Sequence, residues 1–182
     1  MSKLISFNSV EHEILKEIFS SYKIDKYVAG IVENYIYQNV EEYNRFNYKK
    51  CYRTRFGERD GKYKEWYGNG QQAVQCFYRD GKKEGECKSW HRNGQLERQS
   101  FYRDGKREGE YKEWYENGQL DTQAFYKNDK LDGEYKCWYE NGQLKIQCFY
   151  QDGKREGEYK DWWDGGLLDT QTFYRDDVEI NN

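Results

Sequence analysis

The 182-residue chain contains no proline. Proline removes a main-chain donor, so a chain without it is free to pair every strand with a neighbour. Histidine is almost as scarce, with His12 and His91 the only two. No grouping of Ser, His and Asp, no HExxH and no phosphate-cradling glycine loop stands out, which leaves catalysis without a carrier. Leu, Ile and Val number 22, and with Phe they reach only about 17% of the chain, below the ~20% usual for globular chains. Charged residues make up 35% and the mean hydropathy is -1.31. Such a balance points to disorder, but the aromatic content of 19% and a net charge of only -3 exclude it. The core must instead be built from amphipathic rings. No apolar run approaches the ~20 residues of a membrane-spanning helix. The opening residues, Met1 to Phe7, are too polar and too short for a secretory signal, so an intracellular, cytoplasmic location is expected.

What is present is unevenly placed. Twelve of the 22 aliphatic residues precede residue 51, whereas all six Trp follow residue 60. Residues 1–50 read as a helical cap or docking segment. Ser9 can cap a helix carrying Ile14, Leu15, Ile18, Phe19 and Tyr22. Asp25 can cap a second, with Val28, Ile31, Val32, Tyr35, Ile36, Val40 and Tyr43 as its stripe.

Residues 51–182 are a repeat with a period of 24. Trp66, Trp90, Trp114, Trp138 and Trp162 keep it, as do Gly61, Gly85, Gly109, Gly133 and Gly157. Phe77, Phe101, Phe125, Phe149 and Phe173 keep it too, each followed by Tyr. Two turn signals recur along the units. Asn-Gly stands at 69–70, 93–94, 117–118 and 141–142, and Asp-Gly at 80–81, 104–105 and 152–153. The reading is a mainly β protein: a single elongated antiparallel meander of about five repeats, two strands in each, behind a short helical segment.

If both turns hold two residues, side-chain parity follows. One face then carries Gly109, Tyr111, Glu113, Tyr115, Leu120, Thr122, Ala124 and Tyr126, with Tyr115 opposite Leu120 and Tyr111 opposite Ala124. The other carries Glu110, Lys112, Trp114, Gln123 and Phe125. Gly109 is expected to make room for the ring of Tyr126. The last unit departs from the pattern at residues 162–168, as a cap or a docking surface, and the acidic tail after it guards an exposed edge.

The run from Gly109 to Leu120, followed by Phe125-Tyr126, resembles the MORN repeat variant, and the likeness extends over residues 57–175. Arrays this regular behind a short helical segment are similar to proteins multiplied in large DNA viruses of amoebae. Bacterial proteins with the same repeat are antitoxin-like. The resemblance implies a meandering sheet that contacts other macromolecules and carries no chemistry. In the viral setting that means a virion or minor capsid-associated component, packaged with capsid or other viral proteins as its partners. In the bacterial setting it means a neutraliser of a partner enzyme.

Three sets of side chains are candidates for binding. The aromatic face, with Trp66, Trp90, Trp114, Trp138, Trp162, Trp163, Phe101, Phe125 and Phe149, offers rings of the kind protein interfaces use as anchors. The column Lys64, Lys88, Lys112, Lys136 and Lys160 could meet a row of phosphates or an anionic lipid surface. Acids two positions away and a pI near 5.6 weigh against it, so nucleic acid is not expected and membrane contact is disfavoured. The five cysteines, Cys51, Cys76, Cys87, Cys137 and Cys148, form no CxxC. They read as filler in a reducing compartment, with zinc or a disulfide as the alternatives. No cofactor, metal or catalytic residue is expected.

Overall fold

The structure is a computed structural model and describes residues 37–43, 49–55 and 58–180. Within them the chain forms one antiparallel sheet of sixteen strands that follow one another in sequence order, with the two-residue strands Lys82–Lys83, Lys130–Leu131 and Lys154–Arg155 set off the main path. The meander read from the repeats is therefore the fold, and no helix occurs among the described residues.

The two turns of a repeat differ. At Asp104-Gly105 the strand Leu96–Arg103 reverses directly into Lys106–Trp114, with Arg103 opposite Lys106. Both turn residues have positive φ, 50° and 83°, as a tight two-residue hairpin requires. The Asn-Gly turn is longer. The Gly118 N–H donates to the Tyr115 carbonyl and the Tyr115 N–H to the Gln119 carbonyl, so three residues make the loop and only Gly118 has positive φ. Trp114, not Tyr115, stands near the strand end, opposite Leu120. A register shift between Glu113 and Trp114 absorbs the difference, and Tyr111 still faces Ala124. Leu120 thus joins the tryptophan face, where two-residue parity had set it on the tyrosine face.

A second bulge follows each tight turn. Tyr102 faces Arg107 but Ser100 faces Tyr111, so three residues of one strand stand against one of the other. The middle one, Gly109, has φ 100°, and its counterpart Gly133 has φ 126°. That backbone, rather than room for a ring, is what all five glycines share. A Cβ on Gly133 would lie 3.1 Å from the Phe125 Cβ, but one on Gly85 or Gly157 would meet nothing within 4 Å.

The core lies on one face of the sheet. Tyr63, Cys76 and Tyr78 form its buried cluster, with Val74 and Cys87 packed against them. Further along, Ser100, Ala124 and Cys148 sit under the same cover, each at most 2% exposed. The tyrosines make edge-on pairs, Tyr63 with Tyr78, Tyr111 with Tyr126, Tyr135 with Tyr150 and Tyr159 with Tyr174, with ring centres 5.4 to 5.8 Å apart. Each pair contributes about 0.5–1.5 kcal/mol beyond its buried area. Arginines lie over several: the Arg107 guanidinium is 4.0 Å from the centre of the Tyr126 ring and that of Arg155 is 3.9 Å from Tyr174.

The second helical stripe does not reach Tyr43. Tyr37–Tyr43 pairs as a strand with Lys49–Arg55, Val40 opposite Tyr52 and Tyr43 opposite Lys49. Lys49–Arg55 is already held on its other side by Glu58–Trp66, so its free edge offers a full row of backbone partners. Those bonds outweigh a helix propensity worth only tenths of a kcal/mol per residue. The sheet therefore extends into the stretch read as a helical cap. The first helix, and the second up to residue 36, lie outside the described residues. At the other end Asp176-Asp177 makes one more tight turn, and the tail closes the sheet as the three-residue strand Val178–Ile180.

Candidate functional site

Alternation along Lys106–Trp114 puts Glu110, Lys112 and Trp114 on the face opposite the tyrosines, with Phe125, Gln123 and Leu120 as their cross-strand partners. Repeated along the sheet, this gives three parallel columns. A phenylalanine column runs along one side, a polar column along the middle, and a tryptophan column with its leucines along the other. Trp66, Trp90, Trp114, Trp138 and Trp162 are half-buried, as is Phe101. Phe125 and Phe149 are 37% and 48% exposed, and Phe77 and Phe173 stand out similarly. Trp163 is not in the column. It begins the last long turn and is 59% exposed.

The lysine column is neutralised where it stands. Lys88, Lys112, Lys136 and Lys160 each lie 2.7 to 2.8 Å from the acid two residues earlier, Glu86, Glu110, Glu134 and Glu158. A glutamine from the next strand donates to each of the same carboxylates, Gln123 to Glu110 at 3.0 Å for example. The lysine bond, opposed by some desolvation and aided by the glutamine, holds Glu86, Glu134 and Glu158 below the usual carboxylate range. The pairing runs along the strand. Lys64 has no such acid, because Lys62 takes that place. A surface of closed Lys-Glu-Gln triads has little free positive charge to offer a phosphate row.

One edge carries a ladder that the sequence reading missed. The Tyr67, Tyr115 and Tyr139 hydroxyls donate to the carbonyls of Trp90, Trp138 and Trp162 in the following repeat, at 2.7 to 2.8 Å. His91 does the same through Nε2, 2.7 Å from the Trp114 carbonyl. A carbonyl only accepts, so that nitrogen carries the proton and the ring is occupied as a structural donor. Beside each ring, an asparagine reaches the next turn: Asn69, Asn93, Asn117 and Asn141 donate to the carbonyls of Arg92, Glu116, Glu140 and Asp164. The signal was in the columns: an aromatic donor follows Trp, and Asn comes two residues later, in four units. In the fifth, Trp163, Gly165 and Leu167 replace Tyr, Asn and Gln together. Leu167 is 74% exposed and Leu168 49%.

The four cysteines whose side chains the structure describes divide into two sorts. Cys76 and Cys87 are joined by a disulfide across neighbouring strands of successive repeats, Cα atoms 4.2 Å apart. For these two the filler reading gives way to the bonded one, because the register sets them face to face. Cys137 and Cys148 are free and buried. Burial raises the Cys148 thiol to about 11 and pushes Cys137 up as well. Among the described residues no three or more His, Cys, Asp or Glu side chains come together to hold a metal ion.

No curated protein matches the sequence. The family model described as the MORN repeat variant matches four consecutive units, at residues 59–80, 83–104, 107–128 and 131–152. The boundaries fall on the tight Asp-Gly and Asn-Asp turns, and the structure adds a fifth unit of the same form beyond them. With the 24-residue columns, the paired bulged strands and this match in agreement, the chain belongs to the MORN repeat variant family.

Proposed function

We propose that the protein is a non-enzymatic interaction scaffold that holds a partner protein against its phenylalanine and tryptophan face. The observation that carries this reading is the row of Phe77, Phe125, Phe149 and Phe173, each more than a third exposed and in register along the sheet, across the polar column from the half-buried tryptophans. A protein exposes such a contiguous aromatic strip at the cost of solubility, and rigid rings of this kind are the anchors that interfaces use. The tyrosine face, by contrast, carries the buried core and its ring pairs. The finer form of the reading, a virion or minor capsid-associated component inside the cell with capsid or other viral proteins as partners, rests on the resemblance of the array to those of large DNA viruses.

The test is affinity capture from the native source with the full chain and with the Phe125→Ser, Phe149→Ser double variant. Both rings are exposed enough that circular dichroism should show an unchanged sheet. The reading expects a specific partner with the native chain and at least a ~10-fold loss with the variant, as for removal of interface anchors. Equal capture by both would overturn it. Sedimentation with anionic vesicles at low salt, if it removed the protein from solution, would move the reading to a lipid surface.

A further inference from the structure

We propose that Cys76 and Cys87 form a thiol–disulfide exchange site that couples the first two repeats when oxidised and loosens them when reduced by a small thiol of the glutathione class. The second repeat is built with a gap. Tyr63, Tyr111, Tyr135 and Tyr159 occupy one column, and Cys87 stands in their place. The edge-on ring pairs made by Tyr63, Tyr111, Tyr135 and Tyr159 have no counterpart where Cys87 faces the Tyr102 strand. The hydroxyls of Tyr63, Tyr111 and Tyr159 also bond the acid two residues on, Glu65, Glu113 and Asp161. In the second repeat that acid is Ser89, whose buried hydroxyl has no partner. Two native attachments are therefore missing at one point, and Cys87 lies against Cys76 of the preceding repeat there.

Cys137 and Cys148 show that proximity in the repeat is not enough. Cys148 faces Tyr135 and Cys137 faces Ile146, two rungs apart, and both remain thiols. Among the described residues only the Cys76–Cys87 pair meets across the strand boundary.

Cys76 is 3% exposed, whereas Cys87 is half-buried and offers the reachable sulfur. A small thiolate attacks the Cys87 Sγ and expels the Cys76 sulfur as a thiolate, which takes a proton. A second small thiolate then attacks the outer sulfur of the mixed disulfide, releasing the small-molecule disulfide and the Cys87 thiol. Two electrons and two protons enter the protein, and the reverse sequence restores the bond.

The experiment uses the full chain equilibrated in reduced or oxidised glutathione, then alkylated, digested with trypsin and mapped by mass. Arg79, Lys82 and Lys83 separate the two cysteines, so their peptides stay together only if bonded. The oxidised sample should give the linked pair, and reduction should lower the melting midpoint by roughly 5–10 °C. Hydrogen exchange should rise in residues 58–90 and stay fixed in residues 106–175. The Cys87→Tyr variant should restore the ring pair and melt at the same temperature in both buffers, while Cys137→Ser with Cys148→Ser should keep the full response. Unlinked Cys76 and Cys87 in the oxidised sample, or identical melting and exchange in both buffers, would overturn the proposal. The outcome is independent of whether the phenylalanine row binds a partner.

Discussion

The Tyr115 hydroxyl bonds the Trp138 carbonyl 23 residues ahead, at 2.7 Å. That bond spans two repeats, so the tyrosine acts on its neighbour's turn and not on its own. Tyr115→Phe removes the donor and leaves the carbonyl to find water at a half-buried edge. The expected cost is about 1 kcal/mol, read from urea denaturation. His91→Phe should cost a similar amount, because its Nε2 makes the same bond to Trp114. His91→Tyr restores the family's usual donor and should be neutral or stabilising. A loss with Tyr equal to that with Phe would show that the imidazole does more than donate.

Asn117 ties two turns at once. Its side-chain carbonyl accepts from the Gln119 N–H at 2.8 Å and its amide donates to the Glu140 carbonyl at 3.1 Å. Asn117→Asp keeps the acceptor and loses the donor, whereas Asn117→Ala loses both. The two variants should rank in that order, by roughly 0.5–1.5 kcal/mol per bond. Gly118→Ala should also destabilise, for a different reason: φ is 84° there, and the added Cβ would come 2.7 Å from the Gln95 side-chain oxygen. Thermal melts of the three variants decide the ranking.

How much of this was legible depended on which interaction set it. The meander and its tight turns were readable because Asp-Gly dictates a backbone directly, and Asp104-Gly105 folds as its residues require. The Asn-Gly turn was misread by one residue because Asn117 is chosen for what its side chain bonds in the next repeat, not for its own φ. A single unit cannot reveal that, although the stacked columns can. The strand at Tyr37–Tyr43 was hidden for a related reason: its local pattern fits a helix, and the open edge of Lys49–Arg55 decides otherwise. On the candidate face the rows of rings were plain from the period. How exposed each stands was not, since Phe125 and Trp114 share a face but differ in cover.

The fifth repeat should differ from the other four. Trp163, Gly165 and Leu167 replace the three side chains that elsewhere reach forward, and among the described residues no further unit stands beyond it for such groups to meet. The triple variant Trp163→Tyr, Gly165→Asn, Leu167→Gln should therefore leave stability within about 0.5 kcal/mol, in contrast to Tyr115→Phe. It should instead lower the fluorescence of a bound apolar dye such as bis-ANS, because Trp163 and Leu167 are well exposed. A large gain in stability would mean that these positions already contact something within the chain.

The tyrosine face sets an alkaline limit. Burial, reinforced by the Glu113 carboxylate that accepts its hydroxyl, drives the Tyr111 phenol well above the ordinary value near 10, and Tyr63 beside Glu65 behaves alike. Burial also raises Tyr150 and Tyr159 to about 12. A phenol whose folded value exceeds its unfolded one favours the folded state fully below pH 10. Above that the unfolded chain loses protons that the folded chain keeps, and stability falls until the folded values near 12 are passed. Phenolate absorbance from these tyrosines should accordingly rise together, steeply, as the circular dichroism of the sheet is lost between pH 10 and 12. Tyr111→Phe should move that step to higher pH, since it removes one ionising group while keeping the ring against Tyr126. A single absorbance step near pH 10 with the sheet intact would show that the ring pairs are open to water.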